Sequence, residues 1–405
     1  MIIHRDIAEH LFTGFSIKRW NDLVRPMELN EMDRRAFAII TTYFIAKLEE
    51  EQGYTVDWNL IIDHSIFDLL RKLAISDIKE SVHRDIRTHY PVEYRKLNEW
   101  VVSSVAPMLA HYGLDDRFRE FLLGRTEEEA WTVEETRSHH ILEAARTYSS
   151  HREFQIIKSV NHHDPRVPDI ENDLRGRLEP YLDLAGMRQL VLELDLYRLI
   201  SVIDRLRYQT RWSRTPRIPE TAVLGHSLMV CVFVYLLSHQ AGACDKRKYN
   251  NFFGALFHDL PEAVTRDIVA PTKTATPGLP EIVKTIEDRT VAAEIYPHMS
   301  SSAGEEIRYF TENEFVSRIR TNEGVQVVSS EDIRNTFNED RYDPVDGEII
   351  RVADEFSAFL EAWQSIQFGV SSPVLEEGLL RLRKTYSDRL EVAGVRTSEM
   401  FAQFP

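Results

Sequence analysis

The chain has 405 residues with a formal net charge of −16, and 43% of its residues are hydrophobic and 28% charged. This length predicts two domains rather than one, and the composition is that of a soluble globular protein. The acidic balance argues against a broad nucleic-acid-binding surface, which needs clustered lysines and arginines, but it does not exclude a small anionic substrate in a cleft.

The sequence gives no sign of export or of a membrane anchor. Its first residues, MIIHRDIAEHL, carry charges and contain no apolar stretch of the signal-peptide type. The longest apolar run, Leu228–Leu237, has ten residues, which is too short to span a bilayer. Cys231 and Cys244 cannot build a disulfide framework and suit a reducing compartment. We therefore expect a cytoplasmic protein without a membrane partner.

The predicted elements are almost all helical. Apolar residues recur at three- and four-residue spacing along the chain, and few runs alternate with period two. In chain order, the clearest such segments are Arg34–Glu51, Leu190–Arg207, His226–His239, Pro280–Ala293 and Ile350–Gln367. These patterns predict an all-α fold.

The chain also repeats itself at a nearly constant offset. Arg19-Trp20 recurs 192 residues later as Arg211-Trp212. The run IFDLLRKLAISDI aligns with LFHDLPEAVTRDI at an offset of 190, and ILEAARTYSSHREF aligns with IIRVADEFSAFLEA at an offset of 208. The shared order predicts two tandem helical bundles, residues 1–190 and 191–405, related by internal duplication.

The second copy holds some 18 extra residues between Pro297 and Ile349. The segment, at about 298–348, is rich in Glu, Asp, Asn and Ser. This composition is typical of a surface elaboration without function. A lid, or an exposed helical insertion, is the other hypothesis.

Two imidazoles and two carboxylates stand in separate motifs of the second copy. They are His226 in GHS, His258 and Asp259 in FHDLPE, and Asp354 in VADE. This donor set suits a divalent transition metal such as Mn, Co, Fe, Ni or Zn. The His-Asp pair follows the apolar stretch Phe252–Phe257, where an ionisable pair is costly unless it is paired or bound to metal. From spacing alone, a buried His-Asp hydrogen bond remains the alternative.

The run HDLPEAVTRDIVAPTK, with Arg-Trp and His-Ser upstream and Ala-Asp downstream, resembles the YfbR-type 5'-deoxynucleotidases of the HD superfamily. The landmarks follow one another in order between Arg211 and Asp354. The resemblance implies an HD-type helical bundle that binds one divalent metal. The implied metal ligands are His226, His258, Asp259 and Asp354.

The resemblance also implies roles for residues around the metal. Glu262 would handle protons for the attacking water and the leaving group. Arg211 would contact the phosphate, which suits its planar fork of donors. Asp267 would meet the sugar hydroxyl and Trp212 would help to shape the sugar pocket. Lys273 would add positive charge, although a solvated loop lysine is an equal alternative.

Three local features qualify this assignment. A continuous helix would place Glu262 on the same face as the His-Asp pair, but Pro261 makes a break possible. Gly225 stands where the family usually has glutamate, and the loss of that carboxylate is expected to loosen His226 or alter metal preference. Arg266 replaces a small residue, so the pocket entrance is expected to be narrower or more basic.

The first copy carries other residue types at the metal positions. The residues that align with the four ligands and with the proton-handling glutamate are, in order, Arg34, Asp68, Leu69, Arg146 and Lys72. Cationic side chains repel a metal ion, so residues 1–190 are expected to be an HD-like domain without metal ligands. The basic residues would form an ion-pair network with Asp68 or remain surface charges. A third hypothesis is a regulatory site for an anionic nucleotide.

The sequence therefore favours a metal-dependent phosphohydrolase acting on nucleoside, and particularly deoxynucleoside, 5'-monophosphates. The alternatives are an HD phosphodiesterase or nucleotide triphosphohydrolase, and a non-catalytic nucleotide-sensing or scaffold protein. No extra histidine pair of the two-metal kind stands near Asp354. The expected partner is a small-molecule nucleotide, with no nucleic acid polymer, in a homo-oligomer or in a monomer that forms a pseudo-dimer internally.

Overall fold

The computed structural model of the protein describes residues 1–76, 78–124, 131–266 and 276–405. Helices account for 68% and strands for 4%, which confirms the predicted all-α class. In the first half, the helices are α1 Arg5–Phe12, α2 Glu31–Glu51, α3 Trp58–Ala74, α4 Glu80–His89, α5 Pro91–Ala110, α6 Asp115–Leu123, α7 Val133–Lys158, α8 Val167–Leu178 and α9 Ala185–Val191.

The second half continues the helical order and contains one small sheet. The described helices are α10 Asp195–Ile203, α11 Val223–Gln240, α12 Asp245–Phe257, α13 Glu262–Thr265, α14 Leu279–Glu294, α15 Ser301–Thr311, α16 Ser330–Asn335, α17 Gly347–Gln367, α18 Pro373–Ser387 and α19 Thr397–Ala402. The strands β1 Arg318–Thr321 and β2 Gly324–Val327 form an antiparallel hairpin.

Helices α2 and α11 lie at the centre and pack against each other. Both are buried on almost every side, as in a helix surrounded by protein; α11 is largely apolar, whereas α2 carries charged residues at both ends. By length and composition alone α11 could cross a membrane, but 89% of that stretch is buried inside the protein. Helix α2 begins where the side chain of Asn30 accepts a hydrogen bond from the amide of Asp33.

The two halves share one continuous apolar core that runs from the first residues to the last helix. The amino group of Met1 donates to the carbonyl of Gly394 at 2.8 Å, so the chain termini lie together. The predicted boundary at residue 190 falls within α9. The single helix predicted over Leu190–Arg207 is wrong, because the backbone turns at Glu193, with a φ of 57°, and separates α9 from α10.

One contact occurs in both halves at the offsets found in the sequence. In the first half, Arg19-Trp20 donates to the carboxylate of Glu153, with the indole at 2.9 Å. In the second half, Arg211-Trp212 donates to Glu361, with the indole at 2.8 Å. Both tryptophans have a φ of 56°. These matched contacts agree with the predicted duplication, which stays a prediction.

The extra segment of the second half, expected to be a surface elaboration or else a lid or an exposed helical insertion, is only partly exposed. It contains α15, the β-hairpin and α16, and the hairpin is joined to Val345 by two backbone hydrogen bonds of 2.9 Å to Arg318. Ile307, Phe310 and Ile319 are fully buried. Apolar anchors therefore hold the segment on the protein, and α15 packs against α12.

A buried carboxylate links the halves and makes their packing sensitive to pH. The hydroxyl of Tyr235 on α11 donates to Asp63 of α3 at 2.7 Å. Burial raises the pKa of Asp63 to about 6, although the charge of Arg117 opposes that rise. Because the folded-state pKa exceeds the unfolded value, this group stabilises the fold at low pH, and that contribution is lost as the pH rises through 6.

Asp63→Asn is expected to remove this dependence, because the amide oxygen still accepts from Tyr235 and carries no charge. The free energy of unfolding of the variant, relative to the wild type, should rise by roughly 1.4 kcal/mol between pH 5 and pH 8. Urea unfolding at both pH values measures it. A difference that does not change with pH would show that Asp63 does not titrate in this range.

Candidate metal centre

Four side chains from three separate parts of the chain converge in the second half. Helix α11 carries His226, the turn after α12 carries His258 and Asp259, and α17 carries Asp354. The Nε2 atom of His226 lies 2.9 Å from Oδ1 of Asp354 and 4.0 Å from Oδ2 of Asp259. The Nε2 atom of His258 lies 3.2 Å from Asp259 and 3.9 Å from Asp354. The ligand atoms of His226, His258 and Asp259 thus lie within 4.8 Å of one another, and Asp354 adjoins this group through the two histidines.

The end of α12 sets the direction of the His258 ring. The helix ends at Phe257, and His258 keeps helical backbone angles as its C-cap. The Nδ1 atom lies 2.7 Å from the carbonyl oxygen of Ala255. Because a carbonyl only accepts, Nδ1 carries the proton and Nε2 is left to face the carboxylates. This orientation is the one that a metal-binding histidine requires.

Burial and hydrogen bonding both fit a cation at this point. The side chains of His226 and His258 are 0% and 1% exposed, whereas those of Asp259 and Asp354 are 18% and 23% exposed. Among the described residues, His258 Nε2 and Asp259 Oδ2 find no hydrogen-bond partner of normal geometry. Buried polar atoms without partners are costly. Two nitrogens and two carboxylates are a donor set for a divalent transition metal, so these residues fit one.

The electrostatics of the pocket also favour a cation. Burial lowers the pKa of His258, but the charges of Asp259 and Asp354 outweigh burial and raise that pKa to about 10. Burial alone would raise the pKa of Asp354. The hydrogen bond with His226 lowers that pKa by more than burial raises it, so the net shift is downward. The carboxylates thus stay ionised at neutral pH. A metal would take the place of a proton on the histidine.

Arg211 lies at the edge of this group, where a phosphate contact was expected. Its Nη1 atom is 3.7 Å from Oδ2 of Asp259, and its Nε atom is 3.3 Å from Oε2 of Glu361. Trp212 makes a contact that the sequence did not suggest. Its indole donates to Glu361, and its ring packs on α18, where a Cβ at Gly378 would lie 3.3 Å away. Trp212 therefore helps to hold the carboxylate of Glu361.

Glu361 is the residue that the sequence reasoning missed. It is fully buried, with Oε1 3.6 Å from Nδ1 of His226 and 2.7 Å from the hydroxyl of Thr221. A carboxylate behind the second ring nitrogen fixes the orientation of a metal-binding histidine. Two signals were present. Glu361 is the lone charge in the run FLEAW, and it aligns with Glu153 at the 208-residue offset.

Gly225 has a packing role at the contact between the two halves. A Cβ at this position would lie 2.6 Å from Oδ1 of Asp33 and 2.8 Å from the ring of Phe15, both from the first half. Glycine is thus required for the close approach of α2 and α11. The carboxylate of Glu361 lies behind Nδ1 of His226, but at 3.6 Å it is beyond hydrogen-bond distance, so the loosening of His226 expected from Gly225 stays a prediction.

The residues assigned to protons and sugar are only partly described. The helix is not continuous through Glu262: α12 ends at Phe257 and α13 begins at Glu262, which is the break that Pro261 made possible. Glu262 is half-buried, and its charge helps to raise the pKa of Arg211. Arg266 is exposed, with a φ of 68°. The other two assigned residues, Asp267 and Lys273, lie outside the described residues.

The aligned positions of the first half hold ion pairs. Asp68 accepts from Arg35 and Arg71, and Nε of Arg146 lies 3.3 Å away. The predicted network around Asp68 is therefore present, but with two other partners. Arg34 instead lies 3.2 Å from Glu31, and the amine of Lys72 donates to a backbone carbonyl. In the described part of this half, no three His, Cys, Asp or Glu side chains converge on one point.

Residues 203–383 match a family model described as HD domain. The matched range contains the four converging side chains, Arg211 and Glu361. The match supports similarity of this region to the HD superfamily. HD domains are usually metal-dependent hydrolases that bind divalent metals. It indicates a metal-dependent phosphohydrolase in general. No curated protein and no solved structure matches the chain.

Glu361→Gln is expected to lower the affinity for Mn²⁺ about 10- to 100-fold, because a neutral amide supports the His226 ring less well than a carboxylate. Titration of the metal-free protein with Mn²⁺ measures the change. Glu153→Gln is a matched control, since Glu153 makes the same Arg-Trp contacts in the first half. Equal loss of metal affinity in both variants would mean that Glu361 acts only through general stability.

Proposed function

We propose that the protein is a phosphomonoesterase that hydrolyses nucleoside 5'-monophosphates, with deoxynucleotides as the first candidates. The observation that carries this proposal is the group of His226, His258 and Asp259 beside Arg211, which Asp354 adjoins through the two histidines. Four protein ligands leave positions on a six-coordinate ion for water and for a phosphate oxygen. A cation and an arginine together suit a dianionic phosphate.

When bound there, a divalent cation would acidify water and polarise a phosphoryl oxygen. Arg211, which is held by Glu361, would neutralise the phosphate oxygens that face away from the ligands. Glu262 would take a proton from the attacking water and return one to the 5'-oxygen of the leaving nucleoside. The water oxygen forms the new bond to phosphorus as the bond to the 5'-oxygen breaks, and the products are inorganic phosphate and a nucleoside.

The preference for a monoester rests on the number of metal ions. Two-metal phosphodiesterases need additional histidine ligands. Within the described ranges, His226, His258 and Asp259 form the one group of three or more such side chains whose ligand atoms lie within 4.8 Å of one another. Asp354 adjoins this group through its contacts of 2.9 Å and 3.9 Å with the histidines. One ion is therefore the simpler proposal.

Phosphate release from a panel of nucleotides tests this function. With Mn²⁺ or Co²⁺ present, we expect release from 5'-monophosphates, and none after metal removal with EDTA. Activity confined to diesters or triphosphates would support the phosphodiesterase or triphosphohydrolase instead. Nucleotide binding without turnover would support a sensing or scaffold protein.

We also propose that residues 1–190 are a degenerate duplicate of residues 191–405, and that the pair forms a pseudo-dimer within one chain. The repeated Arg-Trp contacts and the central packing of α2 on α11 support this arrangement. Because such a chain forms the pseudo-dimer intramolecularly, it is expected to sediment as a monomer of 47.2 kDa. A mass of twice that value would favour a homo-oligomer.

A further inference from the structure

A large cavity lies in the first half, at the positions that align with the metal centre. Its volume is about 1320 Å³, and its lining includes Arg34, Asp68 and Arg146. These three align with His226, His258 and Asp354 of the second half. Typical ligand pockets measure about 300–1,000 Å³, so the cavity has room for a molecule of nucleotide size.

The charge of this cavity is opposite to that of the whole protein. Eight arginines line it but only four carboxylates, although the chain as a whole carries a net charge of −16. The arginines are Arg34, Arg35, Arg71, Arg84, Arg87, Arg137, Arg146 and Arg177. A cleft lined by one sign of charge concentrates ligands of the opposite sign. The lining itself therefore carries more cationic than anionic side chains, although Glu31 and Glu49 behind it pair with Arg34, Arg35 and Arg137.

Internal ion pairs do not use all of this charge. Asp68 accepts from Arg35 and Arg71 and lies beside Arg146. In contrast, Arg84 and Arg87 form no ion pair with any described residue. Both stand on α4 and line the cavity. Their guanidinium groups are available to a ligand.

Two buried atoms in the lining also lack partners. The side chain of Arg34 is 9% exposed, and its Nε atom has no hydrogen-bond partner among the described residues. The same holds for Nε2 of His83, which is buried on α4. Burial and the neighbouring charges of Arg19 and Arg35 lower the pKa of Arg34 to about 10. An anion in the cavity would relieve this repulsion and supply the missing acceptor.

We propose that this cavity binds a nucleotide through its arginines, without a metal ion. The planar donor forks of arginine match phosphate oxygens, and aromatic side chains in the same lining, among them Tyr54, Tyr94 and Tyr181, offer faces to a base. The proposal is independent of the proposed hydrolysis, because none of the converging metal-centre residues lines the cavity.

Calorimetric titration of the full chain in EDTA tests the proposal. The probes are inorganic phosphate, adenosine 5'-monophosphate and adenosine 5'-triphosphate, and EDTA prevents turnover at the metal centre. We expect both nucleotides to bind more tightly than phosphate. Arg84→Glu with Arg87→Glu should weaken nucleotide binding by at least about tenfold, since two charge-assisted contacts are lost. Both side chains lie at the surface of α4, so the melting temperature should stay within a few degrees of the wild type.

Two control variants make the result specific. Arg95→Glu with Arg198→Glu gives the same change in net charge at exposed arginines outside the cavity. Arg211→Ala alters the metal centre alone. Nucleotide binding that persists in both controls supports the proposal. Absence of binding, binding of phosphate as tight as that of the nucleotides, equal weakening in the charge control, or loss only in Arg211→Ala would overturn it.

Discussion

Replacing His258 with alanine is expected to lower phosphate release from a nucleoside monophosphate by at least about a thousandfold, equivalent to roughly 4 kcal/mol of transition-state stabilisation. The Nε2 atom of His258 lies 3.2 Å from Asp259 and 3.9 Å from Asp354. Its removal leaves one imidazole and two carboxylates, which repel each other more strongly without an opposing charge. Phosphate release at saturating Mn²⁺ gives the measurement.

His239→Ala provides the control for this prediction. His239 stands on α11, half-buried against the ring of Tyr235, and is not one of the converging side chains. Its loss should change stability more than phosphate release per folded molecule. If His258→Ala keeps more than a tenth of the wild-type rate, the reaction does not depend on this histidine.

Glu262→Ala is expected to slow turnover by about 10²- to 10⁴-fold, the usual contribution of a general acid–base group. Metal content should not change, because Glu262 begins α13 and is not among the four converging ligands. Metal analysis and kcat on the same preparation separate these effects. Glu281→Ala, at an exposed position on α14, is the control. Loss of metal together with activity would show that Glu262 has another role.

The parts of the fold that could be predicted are those where burial is strongest. Helices α2, α11 and α17 bury most of their residues, so their long stretches rich in apolar residues were clear in the sequence. The candidate metal ligands could be proposed because short motifs carry them, and the order of these motifs resembles that in a known family. Their convergence depends on α11, α12 and α17 packing together, which motif spacing alone does not establish.

The features that were missed depend on backbone turns and on side-chain direction. A break was expected to be possible at Pro261, but the apolar periodicity does not show that α12 already ends at Phe257. In the first half, Arg35 and not Arg34 reaches Asp68, because neighbouring helical residues point about 100° apart and the alignment does not resolve a single step. Glu361 was missed because its role depends on four residues far away in the sequence, namely Arg211, Trp212, Thr221 and His226.

The two halves share the same Arg-Trp-Glu contacts but carry side chains of opposite charge at the aligned central positions. Each holds an Arg-Trp pair on a buried glutamate, Glu153 in one and Glu361 in the other. At the centre of the second half, nitrogen and carboxylate donors meet; at the aligned positions of the first half, arginines surround Asp68. The residue types at these positions would therefore decide whether a half binds a cation or an anion, while the surrounding helices stay the same.

The number of metal ions bound per chain tests most directly whether these four side chains act as one centre. After loading with Mn²⁺ and removal of the excess by gel filtration, we expect one ion per wild-type chain. We expect none in the double variant His226→Ala with Asp354→Ala. Two ions per wild-type chain, or an ion that survives the loss of both ligands, would contradict a single cation held at this point.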